Sequence, residues 1–301
     1  MLISIHNSNL YFEDSSEIYY KYIVNLITDV LQHNNNININ IIFSCNNHNY
    51  NFNNNNKTIR ISLNYEHTLV KQNGRHSLGS PTGNIKDENN NNYLVRIDRF
   101  NFLNTCDIII DYSIPNIHNV YTSKLFTEFS NKHINIFSSI YDSYFIKENR
   151  NIESLTTFID INQPRRKLLL TNIRDQNIPH ININNVFGKC ELQELYKNTK
   201  VLINIHQTDH HHTFEELRVL PALQCGVIVI CEYSPLSELI PYNDYIIWTS
   251  YDSILDKTRE VLNNYDYYHN LIFVNPKISS LDTFNNINYN TLNNKIVQLY
   301  N

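Results

Sequence analysis

The stretch VLINIHQTDHHHTFEELRVLPALQCGVIVICE, residues 201–232, decides the fold. It begins with an apolar run, VLINIH, suited to a buried strand. A polar loop, QTDHHH, follows. TFEELRVLPALQCG then has helical spacing and ends on Gly226, the residue that most readily takes the left-handed conformation closing a helix. VIVICE is a second apolar strand, and it ends on Glu232. Strand, helix and strand, both strands apolar throughout, read as a parallel pair covered on both faces.

Outward from this unit the same alternation continues. PRRKLLLTNIRDQ is a helix with Pro164 in its first turn, INNVFG a strand, CELQELYKNTK a helix, DYIIWT a strand and YDSILDKTREVLNNY a helix. An earlier series precedes it. LISIH (2–6) reads as a buried first strand, and DSSEIYYKYIVNLITDVLQH as a helix opening on Asp14 to Ser16. That helix carries Tyr19, Ile23, Leu26, Ile27, Val30 and Leu31 on one face. ININIIFSC, TIRISLN, YLVRID and CDIIIDYS are strands, VYTSKLFTEFSNK a helix and INIFSSI a strand. The pattern weakens between Lys147 and Gln163. The expected architecture is therefore α/β, with two Rossmann-like domains whose parallel sheets face a cleft. Their bounds are residues 1–150 and 151–275, and a helical tail, 276–301, packs back on them.

Composition narrows the function. The chain has 301 residues, a formal charge of −5 and only 18% charged residues, so the basic face of a nucleic-acid binder is not expected. No run in MLISIHNSNLYFED reaches signal-peptide or membrane-span length. The five cysteines are scattered without a CxxC spacing. They read as reduced, buried thiols of an intracellular protein, which places the expected location in the cytoplasm. The asparagine runs fall between apolar segments and read as loops, where Asn tolerates left-handed backbone. With five glycines and neither G-x-G-x-x-G nor G-x-x-x-x-G-K-[ST], NAD enzymes and Walker ATPases are not expected.

Ligands in such folds gather at the carboxyl ends of the strands, near helix N-termini. That singles out His206, His212, Thr213, Glu215, Glu216, Arg218, Glu232 and Ser234. Glu215 and Arg218, three apart, share a helix face. They read either as a solvated ion pair or as a nucleotide site, in which the carboxylate takes ribose hydroxyls and the guanidinium takes pyrophosphate. Adjacent histidines do not converge on one ion without a sharply bent loop, so the run 210–212 is expected to border a site rather than hold a metal.

The run from Arg165 to Ile254 resembles the donor-binding domain of GT-B glycosyltransferases, above all the small glycosyltransferase-like proteins of giant viruses and bacteria. The residues that carry the likeness are Asn204-Ile205-His206, Glu215-x-x-Arg218, Gly226, Glu232 and Tyr251-Asp252. TFEELR also resembles the T-E-K helix start of fucosyltransferases. The likeness covers roughly residues 164–265. It implies a metal-independent transferase with no cofactor, using a nucleotide sugar such as a UDP- or GDP-sugar as donor and a glycan or protein as acceptor. If the chain is viral, host cytoplasm or virion would be its place. Arg218, Arg165 and Arg166 are then the phosphate-binding candidates, and the loop from Ser234 faces the donor sugar. The family's second glutamate is replaced by Pro221, so the ribose role would pass to Glu215, Glu216 or Glu232, and the stereochemistry is left open. For a catalytic base the candidates are His67, in the glycine-bearing loop 63–84, with Asp98 and Asp111 as rivals after apolar strands. Two other readings stay open: a catalytically inactive nucleotide-sugar or glycan-binding module, and an interaction protein built on an eroded GT-B scaffold.

Overall fold

The structure is a computed structural model. It describes all residues except 47–49, 66–68, 72–81, 87–91, 98, 125, 142–148, 187, 208–213 and 275–280, with the backbone alone for 69–71, 82–86 and 92–94. These residues form two compact units, Met1–Phe137 with Asn285–Asn301, and Ser138–Phe284. The division falls ahead of the weakly patterned stretch 147–163.

The first unit opens with a hairpin of β1 (Leu2–Ile5) and β2 (Ser8–Phe12), Leu2 lying opposite Tyr11. LISIH is therefore an edge strand, with Leu2 50% exposed, and not the buried strand its apolar run suggests. Burial falls to β2, where Ser8, Leu10 and Phe12 alternate inward. α1 (Ile18–His33) buries the expected stripe together with Tyr20 and Val24; Glu17, rather than the segment 14–16, stands at its N-cap. β3 (Ile39–Phe43) and β4 (Lys57–Asn64) pair in parallel with β2. β5 (Leu69–Lys71), β6 (Thr82–Lys86) and β7 (Asn92–Arg96) form a separate antiparallel sheet in the order β5-β7-β6. The segment 63–84 read as a glycine-bearing loop thus holds the end of β4, all of β5 and the start of β6, and YLVRID belongs outside the parallel sheet. The connection from β6 to β7 is too short for a crossover helix, which parallel pairing requires.

α2 (Phe100–Leu103) leads to β8 (Ile108–Asp111), and α3 (Ile114–Thr122) follows. Ser113 caps α3 by accepting from the Asn116 N–H, with Pro115 in the first turn. The helix therefore starts upstream of the expected VYTSKLFTEFSNK segment and ends at Thr122, with Lys124 in left-handed backbone at φ 57°. Beyond it Phe126 and Phe129 fold into a cluster with Val95, Ile97, Leu103, Cys106, Ile109 and Val120. β9 (His133–Asn135) closes the sheet, whose order is β1-β2-β3-β4-β8-β9 and which is parallel from β2 onward.

The second unit is a five-stranded, wholly parallel sheet. Its elements are β10 (Ile152–Thr156), α4 (Pro164–Asp175), β11 (Ile181–Asn182), α5 (Lys189–Lys197), β12 (Thr199–Asn204), α6 (Glu216–Gln224), β13 (Ile228–Glu232), β14 (Ile246–Thr249), α7 (Ile254–Asn263) and α8 (Tyr265–His269). The strand order is β11-β10-β12-β13-β14. β10 lies inside the stretch where the sequence pattern fades. IESLT has few apolar residues, and Glu153 pairs with Lys200 of β12 at 2.6 Å. Below it the buried Arg150 donates to the carbonyls of Tyr196, Thr199 and Cys225 at 3.0, 2.6 and 2.7 Å. α6 runs through Pro221 and ends as expected. Gly226 has φ 71°, its N–H reaches Leu223 O, and Val227 N–H reaches Ala222 O. These two bonds close the helix as a Schellman motif.

α9 (Thr283–Tyr300) contributes Asn285 onward to the first unit. Asn288 donates to Tyr22 Oη and Phe137 O and accepts from Phe137 N–H, all within 2.9 Å. Each unit is thus a mostly parallel sheet flanked by helices, a Rossmann-like fold. Among the described residues no helix is long and apolar enough to cross a membrane.

Candidate functional site

At the carboxyl edge of the second sheet, β12 ends at Asn204 and β13 at Glu232, while α4 and α6 begin nearby. Glu232 organises this edge. Its Oε1 accepts from Arg165 at 2.6 Å and its Oε2 from the His206 N–H at 3.0 Å. Arg165 also donates to His206 O at 3.4 Å, and its guanidinium lies 4.3 Å from the Tyr251 ring centroid. The Tyr251 hydroxyl donates to Arg165 O at 2.8 Å. Arg165 is therefore committed to a carboxylate and an aromatic face, geometry that suits its planar fork.

His206 is 5% exposed and lies 2.9 Å, through Nε2, from Tyr233 O. A carbonyl only accepts, so Nε2 carries the proton. Burial holds the ring below its ordinary value, and the Glu232 carboxylate opposes that shift. His206 is thus neutral near pH 7 and locks the loop after β12 to the loop after β13. Ser234, in that second loop, is buried.

Arg218 and Arg166 differ from Arg165. Arg218 donates to Asn204 Oδ1 at 3.1 Å, and its nearest carboxylate, Glu215, is 3.9 Å away, beyond hydrogen-bond reach. The two side chains are 17% and 20% exposed. Arg166 is 5% exposed, its Nε has no hydrogen-bond partner among the described residues, and its guanidinium packs 4.9 Å from the Phe158 ring centroid. Burial and the neighbouring Arg218 guanidinium hold Arg166 below its usual value, against the pull of Glu215 and Asp160. The charge of Arg218 is thus felt at Arg166, and neither guanidinium has a carboxylate hydrogen bond among the described residues. An anion with several acceptor oxygens would satisfy both.

Glu216 stands apart from them. It is 1% exposed, accepts from the Tyr242 hydroxyl at 2.5 Å, and its carbonyl accepts from Ser138 at 2.8 Å. It anchors the first turn of α6 inward. His212 and Thr213 lie outside the described residues, as do His67 and Asp98.

Asp111, at the end of β8, is 0% exposed. Its Oδ1 accepts from Ser113 N–H and Asn116 at 2.9 and 3.1 Å, and its Oδ2 from Asn64 at 2.7 Å. His133 Nε2 adds a fourth contact at 3.2 Å. Asp111 is therefore a hub of the fold, its acceptor sites filled, and the expectation that it receives a substrate proton does not match this engagement. Tyr112 is 2% exposed and packs edge-to-face on Tyr19, so it is no open platform for an acceptor. Sequence reasoning missed Asn204 and Phe158 as partners of the arginines. Asn204 was quoted within N-I-H, and its place at the last residue of β12 was the available signal. Among the described residues no group of three or more His, Cys, Asp and Glu is arranged to hold a metal. Cys190 is exposed, unlike the buried thiol expected there.

No family model matches the chain. It is 32% identical over 195 residues to "Uncharacterized protein R358" of Acanthamoeba polyphaga mimivirus, a match covering 60% of this chain and 65% of that protein. It is 26% identical over 196 residues to "Uncharacterized protein L140" of the same virus, covering 64% and 60%. The chain thus spans less than two thirds of the length of either relative. Among solved structures, TarM aligns at a TM-score of 0.47 and 12% identity, over 92% of this chain and 58% of that one. An alpha1,3-fucosyltransferase aligns at 0.40 and 11%, over 77% and 68%.

Proposed function

We propose that the chain is a GT-B glycosyltransferase that moves a sugar from a nucleotide-diphosphate donor to a glycan or protein acceptor. The carrying observation is the Arg166–Arg218 pair at the carboxyl edge of the second sheet, beside the start of α6, with a buried Arg166 Nε that no described residue satisfies. In this reading the two guanidiniums take the diphosphate, whose charge rises as the sugar departs, without a metal. Glu215 accepts from the ribose hydroxyls. Glu232, Arg165, Tyr251 and His206 hold the frame, and the loop from Ser234 borders the donor sugar. A base would come from His67 or Asp98. The mimivirus relatives favour a viral origin, with host cytoplasm or virion as the place of action.

One observation favours the inactive binding module instead: Asp111, the base candidate within the described residues, is fully engaged by the fold. Thermal stabilisation by UDP-, GDP-, dTDP- and CMP-sugars tests the donor site, since a ligand of the native state raises the melting temperature by mass action. Release of nucleoside diphosphate on adding acceptor glycans then separates transfer from binding. Absence of any stabilisation at millimolar concentration would contradict the reading.

A further inference from the structure

The first unit contains a cavity of about 710 Å³, bounded by α3 and the segment leading to β9. Its size lies within the roughly 300–1,000 Å³ of small-molecule sites. Ile114, Ile117, Val120, Phe126 and Phe129 supply apolar walls. The ionisable side chains among its lining are Lys124, His118, His133 and Tyr121, and no Asp or Glu lines it. No described residue pairs with the exposed Lys124 ammonium. At His133 the side chain is 2% exposed; Nε2 donates to Asp111 at 3.2 Å, which leaves Nδ1 an acceptor, buried and without a partner among the described residues. An apolar chamber with a lysine ammonium at its rim matches one ligand chemistry. The body is a hydrocarbon, and the head carries a single acid group.

We propose that this cavity binds an amphipathic acid, its hydrocarbon body between α3 and the Phe126–Phe129 turn and its acidic head toward Lys124. Hydrocarbon burial supplies the attraction, and the lone charge selects an anion over a neutral analogue. This site belongs to the first unit and is independent of the arginine pair of the second.

The probe is 11-(dansylamino)undecanoic acid, titrated into the full chain and followed by dansyl fluorescence, with its methyl ester as the neutral counterpart. The expected result is one site per chain, and the ester is bound at least tenfold more weakly. Lys124→Glu, at an exposed position, weakens binding of the acid at least tenfold without changing the melting temperature, and Ile117→Trp fills the chamber and abolishes it. If Ile117→Trp fails to fold, Lys124→Glu and the ester decide alone. No saturable binding, equal binding of acid and ester, or binding indifferent to Lys124→Glu would each overturn the proposal.

Discussion

Asp111 at the end of β8, and Arg166 and Arg218 in the first turns of α4 and α6, all lie at the carboxyl edge of their unit's parallel sheet, yet the two ends are built in opposite ways. Asp111 is a buried charge whose lone pairs are filled by amides, a backbone N–H and an imidazole. Arg166 is a buried charge with a nitrogen left open beside a second cation. A charge satisfied by its own fold stabilises that fold, because removing it strands every donor aimed at it. A charge left unsatisfied costs free energy until something from outside completes it. The first end is satisfied by its own fold; at the second, the Arg166 Nε has no partner among the described residues.

The largest effect expected from this contrast is at Asp111. Asp111→Ala leaves Asn64, Asn116, His133 and the Ser113 N–H without their acceptor and should cost about 3–5 kcal/mol in urea unfolding. A loss under about 1 kcal/mol would mean that the hub is not structural. Next comes pH in the second unit, where Trp248, the chain's one tryptophan, reports unfolding by fluorescence. Burial lowers His180 to about 4 and also lowers His206. The unfolded chain therefore binds more protons once pH drops below about 6.5, so this stability is present above 6.5 and lost as pH falls toward 4. For His180 the loss is at most about 3.5 kcal/mol. His180→Gln should flatten the slope between pH 6.5 and 4.5, and an unchanged slope would remove His180 from the account.

Glu232→Gln keeps the shape but discharges the partner of Arg165. A destabilisation of about 1–2 kcal/mol is expected, smaller than at Asp111 because the pair is partly exposed. Smallest is Arg166→Met. Replacing an unsatisfied buried charge by an apolar chain should change ligand-free stability by no more than about 1 kcal/mol. A cost near that of Asp111→Ala would show that Arg166 serves the fold, and the contrast would fail.

Much of this architecture was written in local pattern. The run 201–232 predicted β12, α6, its glycine end and β13, because strand and helix periods there do not overlap and Gly226 is required at positive φ. β10 escaped because its partners are polar: Glu153 meets Lys200, and Ser154 meets Pro179 O, contacts without a hydrophobic period. β1 misled for the reverse reason, being an apolar run on an exposed edge. At the site, residue type and spacing picked out Arg218 and Glu232, whereas Arg165 and Arg166 were named on the family resemblance alone. Which arginine is paired and which is open depends on side chains from four elements, and spacing within one helix carries no such information. The burial of Asp111 was equally invisible, since Asn64, Asn116 and His133 come to it from separate strands and a helix.

The most direct measurement is calorimetric titration of UDP and GDP, each beside its nucleoside, into wild type, Arg166→Met and Arg218→Ala. The account predicts that one diphosphate binds the wild type at least tenfold more tightly than its nucleoside, and that either substitution erases the difference while the melting temperature holds. Equal affinity for nucleoside and diphosphate, or binding that survives both substitutions, would contradict the claim that the second unit's arginines are kept open for a diphosphate.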